Sequence, residues 1–213
     1  MISVDEYKIN PCRVFAIPYW KMRNFIISHN ISVVHDEKYN VEANTSCTDR
    51  KYFRLKHDLK TIDSFNLDKR YEYRNVDTSN IEDLKEVVNI VNSCYTYIQV
   101  DLNEVTKWIE SEVFDENLWI FIIDVKTQIP VALGIGELDK NVREGMLEWI
   151  QVLPEYRRRK LGKALVNQLL ANLINKSDFV TVSGEVDNET SPERLYRKCG
   201  FKGNDVWHIL SSK

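Results

Sequence analysis

With 213 residues, 43% of them hydrophobic, the chain can bury a real core as one large domain or as one domain with a sizeable addition. Its formal charge of −3 gives no electrostatic case for a general nucleic-acid binder, so a basic cluster within it is a local feature suited to a small anion. Cys12, Cys47, Cys94 and Cys199 lack C-x-x-C spacing and read as reduced thiols of a cytoplasmic protein, and His29, His35, His57 and His208 lack metal-ligand spacing, so no metal is expected.

The opening MISVDEYKIN lacks the basic-then-apolar order of a secretory signal, and no apolar run approaches the ~20 residues a bilayer span needs, so no membrane association is expected. In residues 1–68, CRVFAIPYW, ISVVH and KYFRL are rich in β-branched and aromatic residues and predict two or three short strands. Asp36 to Arg50 is polar and reads as a mobile loop. So few strands make no independent core, so residues 1–68 are expected as a β-rich extension packed on a main domain over 69–213. Tyr19 and Trp20 are candidates for a pocket wall, with core packing as the other reading.

Tyr71 to Asp77 alternates as a strand, and Asp77, Thr78 and Ser79 offer N-cap chemistry for a helix over Ile81 to Val91, with Leu84, Val87, Val88 and Val91 inward. A second helix is predicted from Leu102 to Phe114, burying Val105, Trp108, Ile109 and Val113. Leu118 to Val125 and Pro130 to Leu138 form a hairpin, continued by a strand from Met146. Gly134 and Gly136 inside a strand signal a bulge or the close approach of another group.

The stretch Gly145 to Ala171 organises the chain. Met146 to Leu153 is a near-continuous apolar run, suited to a strand buried on both faces. From Lys160 the period becomes helical, with Leu161, Ala164, Leu165, Leu169 and Leu173 on one side and Lys160, Lys163 and Asn167 on the other. Between them lie Arg157, Arg158, Arg159 and Lys160, with Gly162 in the first helical turn. Cations there oppose the helix dipole unless an anion joins them, and the first-turn amides and the glycine suit a bound diphosphate. Asp178 to Val186 is a further strand, so strand, helix and strand imply a right-handed parallel crossover. Pro192 and Gly200 bracket a short helix, and Val206 to Leu210 is a last strand.

Arg159-Lys160-Leu161-Gly162-Lys163-Ala164, following WIQVLPEYR and preceding LVNQLL, resembles the coenzyme-A-binding motif of the GCN5-related N-acetyltransferase (GNAT) superfamily. Asn188, Tyr196, Gly200 and Phe201 match that family's asparagine and its closing Tyr-x-x-x-Gly-Phe. The resemblance covers about Tyr71 to Leu210; residues 1–68 are similar to an N-terminal extension attached to some bacterial members. It implies an α/β (α+β) acyl-CoA N-acyltransferase fold, with a mixed, mostly antiparallel sheet whose central parallel strands splay apart, flanked by helices.

The same resemblance implies that the backbones of Gln151, Val152 and Leu153 meet the pantetheine arm and thioester of acetyl-CoA. Arg157, Arg158, Arg159, Lys160, Leu161, Gly162, Lys163 and Ala164 would hold its diphosphate, and Asn188 would bond the arm. Tyr196 would give a proton to the departing thiolate: a phenol with pKa about 10 stays protonated where a thiol of about 8.5 ionises. Glu148 is the candidate base for an amine acceptor, with Glu137 in reserve and a salt bridge as the structural reading. Tyr95 and Tyr97, between the first two helices, are candidate acceptor contacts. The implied activity is transfer of an acetyl group to a primary amine, by direct attack in a ternary complex. A non-catalytic acyl-CoA-binding protein on the same fold is the alternative, and a nucleic-acid module is disfavoured by charge. The acceptor, and whether the chain forms a homodimer, are open at this level.

Overall fold

The computed structural model describes residues 2–23, 30–42, 46–95 and 97–212. The chain divides into two compact units: a first from residues 1–58 and 181–213, and a second from residues 59–180. The segment expected as an extension, residues 1–68, contributes to both. The elements are α1 (Val4–Ile9), α2 (Pro11–Val14), α3 (Tyr19–Arg23), β1 (Ile31–His35), β2 (Cys47–His57), β3 (Tyr71–Asn75), α4 (Ile81–Cys94) and α5 (Leu102–Ile109). Then follow β4 (Trp119–Asp124), β5 (Ile129–Asp139), β6 (Glu144–Val152), α6 (Leu161–Leu173), β7 (Phe179–Glu185), α7 (Pro192–Lys198) and β8 (Lys202–Ser212). Strand order is β1-β8-β2-β7-β6-β5-β4-β3, mostly antiparallel with one parallel pair, and the fold is mixed α/β as expected.

In the second unit β3 to β6 form an antiparallel meander. Alternation along β5 gives it two working faces. Leu133 and Ile135 join Leu84, Val87, Ile90 and Val91 of α4 and Val105 of α5 in one core. Gly134, between them, faces α6: a Cβ there would lie 3.1 Å from Leu169 Cδ1 and 3.2 Å from Leu165 Cδ2. Glycine is therefore required by the close approach of the helix. Leu161, Ala164, Leu165, Leu169 and Leu173 are all buried, and each such leucine contributes roughly 1.5–3 kcal/mol relative to exposure.

In the first unit β8 lies between β1 and β2, pairing antiparallel with both. His208 on β8 is buried between Asp49 and Asp36, with Tyr39 stacked on its ring at 3.7 Å. Arg54 on β2, 1% exposed, donates to Tyr7 Oη at 2.8 Å. Trp207 Nε1 donates to the Cys12 carbonyl at 2.8 Å.

Several expectations are corrected. CRVFAIPYW is helical at both ends, as α2 and the start of α3, because Pro11 takes the first helical position and Cys12 and Tyr19 are anchored in the core. Of the two readings of Tyr19, the packing one holds: it is 8% exposed, its ring lies tilted at 5.1 Å from that of Tyr7, and it donates to the Ile2 carbonyl. The polar segment Asp36 to Arg50 contains a 3₁₀ turn at Asp36–Lys38, capped by His35 Nδ1, and its Cys47–Arg50 end belongs to β2; residues 43–45 within it lie outside the described residues. The N-cap of α4 is Asn80, which accepts from Glu82 N, while Asp77 caps a turn through Ser79. Helix α5 stops at Ile109, although Val113 beyond it is buried. Asn167 faces inward, 5% exposed, and donates to the Asp63 carbonyl at 3.3 Å. His29 lies outside the described residues.

Candidate functional site

The site in the second unit is built along β6 and the start of α6. Met146 and Leu147 are buried, but Glu148, Trp149 and Ile150 are only half-buried, so the strand opens where full burial was expected. The cause is a bulge. Ile135 pairs with Trp149 and Gly136 with Leu147, so the register shifts at Glu148. A bulge breaks the ladder and re-aims a side chain, a device common beside active sites.

Beyond the bulge Gln151 is buried, and its Nε2 donates to Tyr95 Oη at 3.1 Å. The Tyr95 ring meets Trp149 edge-on at 5.9 Å, and Trp108 stacks on Trp149 at 5.3 Å. The Leu153 amide donates to the Val131 carbonyl. The Val152 carbonyl accepts from Arg157 Nε at 3.2 Å and from Cys94 Sγ at 3.5 Å. Burial pushes the Cys94 thiol above its ordinary pKa, and neighbouring Arg157 offsets this in part. Tyr97 is fully exposed, and Thr96 lies outside the described residues. Glu137, half-buried on β5, pairs with Met146.

The turn from Arg157 to Lys160 departs from ordinary backbone. Arg158 and Lys160, both non-glycine, hold φ of 66° and 64°. Such conformations cost of order 1–3 kcal/mol each and cluster at ligand clamps. Ser3, Asn80 and Asp101 cap α1, α4 and α5 with their side chains, whereas α6 has no side-chain cap and no acidic residue in its first turn. The first bond of α6 runs from Ala164 N to the Lys160 carbonyl, so the amides of Leu161, Gly162 and Lys163 precede the helical ladder. Those amides and the helix dipole favour an anion.

The basic side chains are not equivalent. Arg157 is tied to the Val152 carbonyl. Arg159 donates from Nη1 to Tyr71 Oη at 2.9 Å and from Nη2 to the Glu155 carbonyl at 3.0 Å, with its guanidinium 4.8 Å over the Tyr156 ring. Lys163 pairs with Asp63 at 2.8 Å, and this ammonium holds the Asp63 carboxyl below its usual range. Leu161 and Ala164 are buried in the core and offer a ligand only their main chain. Tyr73 Oη donates to the Ala164 carbonyl at 3.2 Å, so β3 supports the turn at two points. Arg158, Arg159 and Lys160 line a cavity of about 440 Å³ whose other wall is Phe65, Asn66, Leu67 and Asp68. Tyr71, Tyr73, Tyr156 and Asp63 escaped the sequence reading. Only the two-residue spacing of Tyr71 and Tyr73, which puts both on one strand face, hinted at a shared role.

Asn188 and Tyr196 belong to the first unit. Asn188 Oδ1 accepts from Thr190 N at 2.9 Å and Thr190 Oγ1 at 2.6 Å, which commits its carbonyl end to a turn. Tyr196, on α7, is 7% exposed, with Phe53 at 6.2 Å and Phe201 at 5.8 Å from its ring.

Among the described residues no group of three or more His, Cys, Asp or Glu is placed to hold a metal ion, and no helix is long and apolar enough to cross a membrane. Residues 115–203 match a family model described as an acetyltransferase (GNAT) domain. No curated protein sequence matches the chain. Among solved structures it is similar to a GCN5-related N-acetyltransferase from Sphaerobacter thermophilus, with TM-score 0.69 and 16% identity over 80% of this chain and 53% of that one. It is also similar to the ribosomal-protein-S18-alanine N-acetyltransferase from Escherichia coli, with TM-score 0.52 and 18% identity over 66% and 91% of the two chains. A chain of the NatC complex bound to Gag peptide and CoA matches with TM-score 0.56 and 18% identity over 68% and 99%. These likenesses concern the fold, and the chain spans about half the length of the Sphaerobacter protein.

Proposed function

We propose, from the match of residues 115–203 to a model described as an acetyltransferase (GNAT) domain, that the chain is an N-acetyltransferase of the GCN5-related superfamily moving the acetyl group of acetyl-CoA to a primary amine within a ternary complex. The observation that carries this reading is the uncapped start of α6, fronted by Arg158 and Lys160 and opening on a cavity. A diphosphate fits that donor set: oriented amides at a helix N-terminus, cations beside them and no competing first-turn acid.

When bound, acetyl-CoA supplies an acyl group activated as a thioester. The chain's own residues do the rest. Arg158, Lys160 and the amides of Leu161 and Gly162 hold the diphosphate, while Arg157, Arg159 and Lys163 keep the turn in shape. The Gln151 and Val152 main chain receives the pantetheine arm; the Val152 carbonyl already accepts two bonds, and Leu153 contributes by fixing the strand end. Glu148, at the register shift of β6, takes a proton from the acceptor's ammonium directly or through a water, so that the neutral amine can attack the thioester carbonyl. Tyr196 holds a proton for the departing sulfur, and Asn188, with its carbonyl oxygen engaged, has its Nδ2 donor for the arm; both roles rest on their sequence positions.

The test is titration calorimetry with acetyl-CoA and CoA, followed by a transfer assay on a panel of small amines and peptide N-termini. Micromolar uptake with acetylation of at least one amine is expected. Uptake without transfer to any amine would replace the enzyme by an acyl-CoA-binding protein, and no uptake would overturn the reading.

A further inference from the structure

An amine that hands its proton to Glu148 must lay the rest of its body against the meander, and the two faces of the second unit are not equally open. The α6 face is closed: a Cβ on Gly134 would lie 3.1 Å from Leu169 Cδ1 and 3.2 Å from Leu165 Cδ2, and both leucines are fully buried. On the other face, Trp149 pairs with Ile135 and Gln151 with Leu133, which puts both on the side of the sheet that meets α4 and α5. There Tyr95, Trp108 and Trp149 are half-buried rather than sealed, with the first two rings 5.9 Å and 5.3 Å from the third. The loop from α4 to α5 extends this wall. Asn92 grips both main-chain groups of Val100, donating from Nδ2 to its carbonyl at 3.0 Å and accepting from its amide at 2.8 Å, and Gln151 holds Tyr95. Beyond that pinched base Tyr97 is 97% exposed and Ile98 39%. Apolar side chains presented on a braced loop can meet a ligand at low entropic cost.

The wall also carries no charge. Asn92 to Val100, NSCYTYIQV, contains no acidic or basic residue in a chain that is 29% charged, although Ser93, Tyr97, Ile98 and Gln99 are exposed. Exposed segments are ordinarily rich in charge, so a neutral one joined to three rings suits a neutral body. A polycationic acceptor would leave its further ammonium groups there without carboxylates. Rings favour other rings in offset or edge-on contact, which selects an aromatic body over an aliphatic one of equal size. An extended peptide would seek main-chain partners, and those of Val100 are engaged by Asn92. Resting on the reading that Glu148 deprotonates an amine beside the thioester, we infer that the acceptor is a small arylalkylamine, its ring received by Tyr95, Tyr97 and Trp149. In the transfer the nitrogen–carbonyl bond forms and the carbon–sulfur bond breaks. Of the two protons that nitrogen gives up, the first passes through Glu148 to solvent and the second leaves with the sulfur as thiol.

The test measures thiol release from acetyl-CoA by the full chain with phenethylamine, cyclohexylethylamine, putrescine and a tetrapeptide beginning with phenylalanine. For phenethylamine kcat/KM should exceed that of the cyclohexyl analogue by at least about threefold, the peptide by about tenfold and putrescine by about a hundredfold. Tyr97→Ser, at an exposed position, should raise KM for phenethylamine by roughly three- to tenfold with kcat within about twofold. Trp149→Leu should bring the ratio of phenethylamine to its cyclohexyl analogue close to unity. Both amines are measured on one preparation, so a partial loss of folded protein cancels in that ratio; if Trp149→Leu fails to fold, Tyr97→Ser decides. Equal rates for the aromatic and saturated amines, a preference for putrescine or the peptide, or a KM unmoved by Tyr97→Ser would overturn the inference and leave acetyl transfer standing. Uptake of acetyl-CoA without thiol release to any amine would instead remove the reading on which it rests, and the inference with it.

Discussion

The Tyr71 hydroxyl accepts a 2.9 Å hydrogen bond from Arg159 Nη1, tying the first residue of β3 to a turn far along the chain. The same guanidinium rests on Tyr156, whose ring meets Tyr71 at 6.5 Å. A bond from a charged donor to a buried acceptor is worth about 1.5–3 kcal/mol. Tyr71→Phe keeps the ring packing and removes that acceptor. Coenzyme A affinity should fall by roughly three- to tenfold, since Arg159 retains the Glu155 carbonyl, while the melting temperature shifts by only a few degrees. Calorimetry and thermal unfolding on one preparation check both.

The cations of the turn should separate into two classes. Arg158→Gln and Lys160→Gln each remove a charge from the cavity wall and should weaken coenzyme A binding by about three- to tenfold, with a shallower dependence on salt. Arg157→Gln instead removes a tie to the Val152 carbonyl, and its effect should persist at high salt because it acts through strand position. Binding isotherms at low and high ionic strength distinguish them.

Glu148 lies where the register between β6 and β5 shifts, and glutamine keeps its size and shape while removing its charge. Glu148→Gln should lower kcat by roughly 10²–10⁴ and leave coenzyme A affinity within a factor of about two, as expected for loss of a general base. Equal losses in both would point to a structural part for this carboxylate.

His57 is 2% exposed, and burial lowers its pKa below the ordinary 6.5, with the Asp58 charge opposing. The unfolded chain therefore binds this proton first. The contribution of neutral His57 is full above about pH 6.5 and is lost as pH falls through that value toward the lowered folded one. Urea midpoints should fall between pH 7.5 and 5.5, and less steeply in His57→Gln. Gly200 has φ of +93°, and a Cβ there would lie 2.7 Å from His57 Nε2. Gly200→Ala should cost at least about 1–3 kcal/mol, read as a drop in the same midpoint.

The strand–turn–helix at β6 and α6 and the meander before it could be read from local periodicity, because each buries one face against a neighbour close in sequence. Helices α2 and α3 could not: they are short, and what decides them is the anchoring of Cys12 and Tyr19 among distant residues. Asn167 sits at a helical position that looks solvent-facing until the Asp63 carbonyl covers it. The motif marked where an anion would sit but treated Arg157, Arg158, Arg159 and Lys163 alike. Their division between fastening and facing the cavity depends on Tyr71, Glu155, Val152 and Asp63, partners that no spacing rule connects to them.

Strand β8 lies between β1 and β2, so these two early strands have no direct pairing with one another. During translation, residues 59–180 emerge as a continuous block and can close their own core while β8 is still unmade. Residues 1–58 must wait, with two unfilled strand edges, until residues 202–212 leave the ribosome. Residues 1–58, made before their partner strand, thus mature after residues 59–180, and that waiting interval is when a chaperone or a protease would find them.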